Sequence, residues 1–291
     1  MKKITLILAV ALTLLTACHS DDDTTPTTAE VGRITFEVVN YQQYSMDDPT
    51  RAETYPVDEL AHLDLAVYDA EKDTIVIHQH QNKGDNGYGT FSASLPYGSY
   101  NVVMLGYQGS RTAIMADITA ICYKDDYVPD FFYDKKTITV DKPETEAKDV
   151  VLKRAVACFN LISSGKNPSN LKSISFTSNG GSHHFNALTG MGSKVESRTY
   201  TFDATKIAAA DTLNFGFFTF LTSLETTMNF TVTAKDSEGN VLRTRDFNNN
   251  VPMKINQRTQ YKGWFFAPET GASGYTFLLD GNKWNDVPYT Y

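Results

Sequence analysis

Four of the six histidines come in two pairs, His78 with His80 and His183 with His184, and these are the first side chains to ask about chemistry. Residues two apart on a strand share a face, so His78 and His80 could hold a metal between two imidazoles. No Cys, Asp or second histidine pair is placed by sequence to complete such a site, and two exposed strand histidines are the simpler reading. His183 and His184 follow Gly180-Gly181-Ser182. Neighbours on a strand point to opposite faces, so a shared metal is not expected there. Asp125, Asp126 and Asp130 could pair as acid and base, though a solvated loop explains them equally well. The chain has no Gly-x-Ser-x-Gly elbow, no His-Glu-x-x-His and no glycine loop for a phosphate. The expectation is therefore no catalysis, no metal and no small-molecule substrate. Cys122 and Cys158 could pair in an exported protein. Their spacing carries no motif, which favours two separate buried thiols and leaves pairing open.

The remaining cysteine has a different setting. Met1-Lys2-Lys3 precedes an apolar run from Ile4 to Leu15, too short to span a bilayer, and small residues come after it. That is the pattern of a signal peptide, residues 1–17, rather than of a membrane helix. Leu15-Thr16-Ala17-Cys18 resembles the lipobox of bacterial lipoproteins. The resemblance implies that the Cys18 thiol receives a diacylglycerol, that the peptide before it is removed and that the new amino terminus is acylated, for instance with palmitate. Each buried methylene contributes about 0.8 kcal/mol, so several chains on one residue make a lasting anchor. Residues 18–30 are polar and acidic with no apolar period, a tether. Within it Ser20, Asp21, Asp22 and Asp23 resemble the acidic sorting signal that sends lipoproteins of certain anaerobic Gram-negative bacteria to the outer face of the outer membrane. Read blandly, the same run is a solvated spacer.

The balance of 26 Lys+Arg against 34 Asp+Glu, net -8, argues against a nucleic-acid partner. With 16 Tyr, 17 Phe and many Thr and Val the chain favours strands. After Cys18 no apolar run approaches the roughly 20 residues of a membrane helix. The remaining length suits two domains of about 100–150 residues, placed at 31–153 and 154–291.

Period-two alternation recurs throughout. One face is expected to carry Ile34, Phe36 and Val38, then Leu63, Leu65 and Val67, Ile75 and Ile77, Phe91, Ala93 and Leu95, and Tyr100, Val102 and Met104. Pro96 and Gly98 suggest a tight reversal in which Gly98 takes a positive φ. Asp125 to Asp134 reads as a loop packed down by Tyr127, Phe131 and Phe132. The run from Lys148 to Ile162 has no Gly or Pro and reads as one long strand that changes its buried face at Lys153-Arg154, leaving one core and entering another. Ile174 and Phe176, Tyr200 and Phe202, Leu213 to Phe217, and Met228 to Val232 continue the pattern. Asp236 to Asn240 is a hairpin turn, and Trp264 to Phe266 and Tyr275 to Leu279 supply the last strands.

The order of these features resembles the fimbrillin superfamily, in particular the lipoprotein anchor and accessory subunits of type V pili. The match rests on the lipobox, the acidic tether, Leu95-Pro96-Tyr97-Gly98-Ser99-Tyr100-Asn101-Val102-Val103, Asp130-Phe131-Phe132-Tyr133 and Val151-Leu152-Lys153-Arg154-Ala155-Val156-Ala157. It implies an all-β protein of two tandem transthyretin-like Greek-key β-sandwich domains, a structural role in a fimbrium and adhesion, and other pilus subunits as partners by β-strand addition. The outer membrane is the further partner, reached through the lipid on Cys18, with no other cofactor. Polymerising subunits of the superfamily are cut after an Arg near the first strand, and Arg51-Ala52 stands where such a protease site would fall. Two alternatives stay open: a shaft or tip subunit cut there, and a glycan-binding surface lipoprotein using Trp264, Trp284 and tyrosines as stacking platforms.

Overall fold

The computed structural model describes residues 30–44, 52–144, 148–205, 212–266 and 276–280. The first set of strands is β1 (Val31–Tyr44), β2 (Ala52–Pro56), β3 (His62–Asp69), β4 (Ile75–Asn82), β5 (Thr90–Pro96), β6 (Gly98–Tyr107), β7 (Ala113–Ile114), β8 (Cys122–Tyr123), β9 (Phe131–Val140) and β10 (Lys148–Arg154). The second is β11 (Ala157–Ser164), β12 (Leu171–Asn179), β13 (Phe185–Asn186), β14 (Met191–Gly192), β15 (Ser197–Asp203), β16 (Thr212–Thr219), β17 (Glu225–Asp236), β18 (Val241–Lys254), β19 (Arg258–Gly263) and β20 (Thr276–Asp280). Two single 3-10 turns, Val57–Glu59 and Lys124–Asp126, are the helical content of the described residues. None of it is long and apolar enough to cross a membrane.

The first sandwich is one folded-over sheet in the order β2-β1-β10-β9-β6-β3-β4, with β5 also on β1. Alternate side chains of β1, β5 and β10 meet those of β3, β6 and β9, and Ile34, Phe36, Leu65, Phe91, Val102 and Leu152 are buried between them. In the second sandwich β16-β11-β19-β20 faces β15-β12-β17-β18. Aromatic rings fill that core. Phe159 stacks on Phe230 at 4.3 Å, and Phe176 meets Phe202 edge to face at 5.6 Å. The Asp236 turn closes β17 onto β18, with Asp236 Oδ1 accepting from the N–H groups of Glu238 and Asn240 and Gly239 at φ +87°.

A third core lies where the two sandwiches meet. Ala66, Tyr68, Val103, Leu105 and Tyr107 bury the opposite parity of β3 and β6 under the segment from Ala113 to Val128, against Val156, Cys158, Phe185 and Phe220. Alternation alone implies one solvated face for these strands, whereas both are covered.

Several expectations are corrected. The run from Lys148 to Ile162 is two strands, broken at Ala155-Val156, just after the bond from the Ala155 N–H to Phe131 O at 2.9 Å that ends the pairing of β10 with β9. Ile75 is 37% exposed, because β4 lies at a sheet edge with its face open. Gly98 is not at positive φ. β5 and β6 are not a hairpin, since β5 pairs with β1 and β6 with β3 and β9, and Tyr100 Oη pins the crossing by donating to Pro96 O at 2.8 Å. Phe131 and Phe132 begin β9 rather than cover a loop. Trp264 to Phe266 come after the strand Arg258–Gly263, and Trp264 stands 64% exposed.

Candidate functional site

The first strand is the element on which a structural role turns, and it is held on both sides. β1 runs parallel to β10 from Phe36↔Lys148 to Gln42↔Lys153, and Arg33 N donates to Pro143 O at 2.8 Å. Its other side pairs antiparallel first with β5, from Val31↔Pro96 to Glu37↔Thr90, and then with β2, from Asn40↔Pro56 to Tyr44↔Ala52. Ile34 and Phe36 are fully buried, and Tyr41 packs on Tyr55 and Phe132 at 5.4 and 4.6 Å. Tyr41 Oη donates to Glu59 at 3.1 Å, and burial followed by the Glu59 charge pushes the phenol well above its ordinary range. Among the described residues β2 has β1 as its one ladder partner. Ala52 is the first residue of β2; Cys18, Ser20, Asp21, Asp22, Asp23 and Arg51 lie outside the described residues.

Among the described residues the sandwich strands with one laddered neighbour are β2, β4 and β5 in the first, and β16, β20, β15 and β18 in the second. β4 exposes Ile75 and Val76 and sends Gln79 and Gln81 to the backbone carbonyls of Ser92 and Thr90 in β5 at 2.9 and 2.8 Å. Behind it sits a polar cluster. Asp64, fully buried, is 2.7 Å from His78 Nε2 and 3.1 Å from His80 Nδ1, and Tyr107 Oη donates to it at 2.7 Å. His62 stacks on His80 and Tyr107 and binds Gly109 O at 2.7 Å. The histidines thus share a carboxylate that sequence separation hides, because Asp64 faces them only once β3 is registered on β4.

His183 and His184 overturn the expectation that they point apart. They lie in a bend rather than a strand, their rings are 4.1 Å apart, and both lean on Glu196. Burial, then Arg198 and His184, push His183 below its ordinary value, while the Arg198 hydrogen bond holds Asp126 low. Burial pushes Glu196 up, but the Lys194 hydrogen bond and His183 outweigh it, so that it too is held below its ordinary value. Asp130 does not act with Asp126 as an acid–base pair; it holds Arg154 through two bonds of 2.8 and 2.9 Å. Cys122 and Cys158 are free thiols, and burial pushes Cys158 up to about 12, which leaves it unreactive at neutral pH. A cleft of about 410 Å³ runs between the sandwiches, lined by Tyr133, Lys153, Met191, Lys254 and Asn256 among others.

Residues 32–285 match the model of the family described as fimbrillin-A associated anchor proteins Mfa1 and Mfa2. No curated protein sequence matches the chain. Among solved structures it is similar to a candidate polysaccharide-binding protein of Bacteroides thetaiotaomicron (TM-score 0.54, 11% identity, 86% of this chain and 96% of that one). It is also similar to a candidate adhesin of Bacteroides ovatus (TM-score 0.51, 10% identity, 85% and 95%). A weaker likeness is to the fimbrial anchor protein Mfa2 of Porphyromonas gingivalis (TM-score 0.47, 11% identity, 86% and 98%).

Proposed function

The chain belongs to the family of fimbrillin-A associated anchor proteins, and from that premise we propose that it is a non-enzymatic lipoprotein that holds a fimbria at the outer membrane and contributes to adhesion. The family match over residues 32–285 carries the reading. Acylated Cys18 supplies the hold on the membrane, and Ser20 with Asp21, Asp22 and Asp23 directs the protein to the outer face. Residues 31–153 and 154–291 act as successive domains, the first beside the tether. Other fimbrial subunits add a strand to one of the free sheet edges, pairing backbone with backbone and filling alternate side-chain pockets.

An anchor must keep β1, because a cut after Arg51 would separate the lipid from the rest of the chain. The seating of β1 supports retention. Its loss would leave β2 without its ladder partner among the described residues and would take Ile34, Phe36 and Val38 out of the core, each worth about 1.5–3 kcal/mol of burial. Amino-terminal sequencing of protein taken from purified fimbriae tests this. A chain blocked at an acylated Cys18 is expected; one beginning at Ala52 makes this a shaft or tip subunit instead. Cys18→Ala is expected to move the protein from the membrane fraction to the soluble one with its fold intact, and membrane retention of that variant would refute the lipid anchor.

A second reading is favoured by one observation, the 64% exposed Trp264 beside buried Phe265, a ring free to stack on a sugar. In that reading the chain binds surface glycan. A polysaccharide array with the native chain and Trp264→Ala decides it, since glycan binding lost in the variant would support this role.

A further inference from the structure

Gly180 and Gly181 sit at φ +116° and +76°, which other residues rarely adopt, and turn the chain sharply out of β12. Two ties hold the bend beyond them. Ser182 exchanges both backbone hydrogen bonds with Phe220, and Phe185 exchanges both with Ile121. Between these ties His183 and His184 have little freedom, and their rings lie 4.1 Å apart. The Glu196 N–H donates to Gly181 O at 2.9 Å, which brings the Glu196 carboxylate across to both rings.

We propose that His183 Nδ1, His184 Nδ1 and Glu196 Oε2 form a binding site for one divalent transition-metal ion of the zinc class. One ligand atom from each of His183, His184 and Glu196 lies within 4.8 Å of the other two. His184 Nδ1 is 3.7 Å from Glu196 Oε2, against the roughly 3.3 Å that a tetrahedral ion with bonds of about 2.0–2.1 Å sets between two donors. Both of these atoms are buried and neither makes a hydrogen bond among the described residues, although Glu196 Oε2 stands in ion-pair contact with His183 Nδ1. A cation between them would satisfy both.

The surroundings fit a ligand role for His183. Its Nε2 lies 3.2 Å from Asp126 Oδ1, and a proton held on that nitrogen leaves Nδ1 as a lone pair facing Glu196. A ring N–H given to a carboxylate is how metal-binding histidines are commonly oriented. Lys194 Nζ holds the other oxygen of Glu196 at 2.8 Å, so Oε2 is the one left over. Arg198 opposes the ion. Its Nη1 pairs with Asp126 at 2.6 Å and also reaches His183 Nδ1 at 3.2 Å, where it takes the place a metal would occupy. Affinity is therefore set by competition between Arg198 and the ion. Two histidines and one carboxylate leave a fourth position to water or to a donor from a partner. Because Asp126 comes from the first sandwich and the ligands from the second, a bound ion would tighten the join between them.

The test is titration of Zn²⁺ into the full chain, extracted in detergent and dialysed against a chelator, with binding read by calorimetry and by the visible absorption of Co²⁺. One ion per chain and a tetrahedral cobalt spectrum are expected. His184→Ala and Glu196→Gln should each weaken binding at least tenfold, while Arg198→Gln should tighten it, an outcome that a purely structural bend would not give. Thermal melts without metal confirm that each variant is folded, and the cobalt spectrum of the native chain stands independently of the variants. Absence of saturable Zn²⁺ binding to the native chain overturns the proposal. So does binding that survives His184→Ala and Glu196→Gln but is lost in His78→Ala/His80→Ala, which would place the ion beside Asp64.

Discussion

Asp64 has no exposed surface, and donors converge on it from three residues, which makes its removal more costly than its position on a strand suggests. Tyr107 is itself buried, and burial followed by the Asp64 charge pushes its phenol far above the ordinary range, so at any ordinary pH it stays a donor. Its Oη accepts from the Ala113 N–H and donates to Asp64, joining β6 to the segment that roofs the third core. Asp64→Ala would strip that donor of its acceptor and leave His78 and His80 to water. An orphaned buried donor costs about 1–3 kcal/mol. The expected result is a fall in stability of that size, read from urea midpoints at unchanged slope. Asp64→Asn, which keeps an acceptor oxygen, should lose less. His78→Ala should also lose less, because that ring is 35% exposed and water can replace it.

At the scale of elements, β1 and the β17–β18 hairpin make opposite demands. β1 depends on distant partners, and Phe36→Ala at its centre should cost about 3–5 kcal/mol, as expected for a fully buried ring, measured by the same denaturant titration. The hairpin depends on its own turn. Hydrogen bonds from the Asn240 side chain and from the N–H groups of Asn240, Glu238 and Gly239 hold Asp236 below its ordinary value. A carboxylate lowered in the folded state adds stability that is complete above its unfolded value of about 3.9 and is lost as pH falls through the folded value. Asp236→Ala should therefore melt below the native chain at pH 7, and the gap should close as the pH drops beneath that window. A gap that stays constant into acid would show that charge plays no part in the turn. This hairpin is legible in the sequence because all its determinants lie within five residues. The alternation that marks β1, β5, β12 and β17 is legible too, since one face of each strand meets a core, whereas β3 and β6 are buried on both faces. Anything set by pairing between distant strands is not. Ile75 looks like a core residue until β4 proves to be an edge, although Ile77 does pack against the core, and Asp64 has no visible link to His78 until the register is known. His183 and His184 mislead because adjacency implies opposite faces only in an extended strand, and two glycines at positive φ end that strand.

At the scale of the whole molecule, the two sandwiches are joined by buried surface, by Arg198 of the second on Asp126 of the first, and by a charged pair at the point where the chain crosses over. Arg154 is 2% exposed in its side chain, holds Asp130 through Nε and Nη2, lies over the Phe132 ring at 4.8 Å and reaches Asn256 of the second sandwich through Nη1 at 3.4 Å. It stands at the end of β10, just before the strand that opens the second sandwich, so it fixes how the chain crosses over. Removing one partner of a buried pair is strongly destabilising, by about 3–5 kcal/mol, whereas replacing both by uncharged groups of like size is often neutral. Asp130→Asn is therefore expected to be the harmful change, because it leaves the guanidinium buried without its carboxylate. Arg154→Met should harm less, since Asp130 at 15% exposure can still be hydrated. The double variant should recover much of the loss. The measurement must also ask whether the sandwiches still unfold together. Both tryptophans, Trp264 and Trp284, come after Arg154 in the chain, so their fluorescence reports the second half while far-ultraviolet circular dichroism reports strands of both. Coincident transitions by the two probes are expected for the native chain. In Asp130→Asn the two should separate. If the transitions remain superimposed in Asp130→Asn, the third core and the Asp126–Arg198 pair couple the halves without it, and the Arg154–Asp130 pair serves only the local path of the chain.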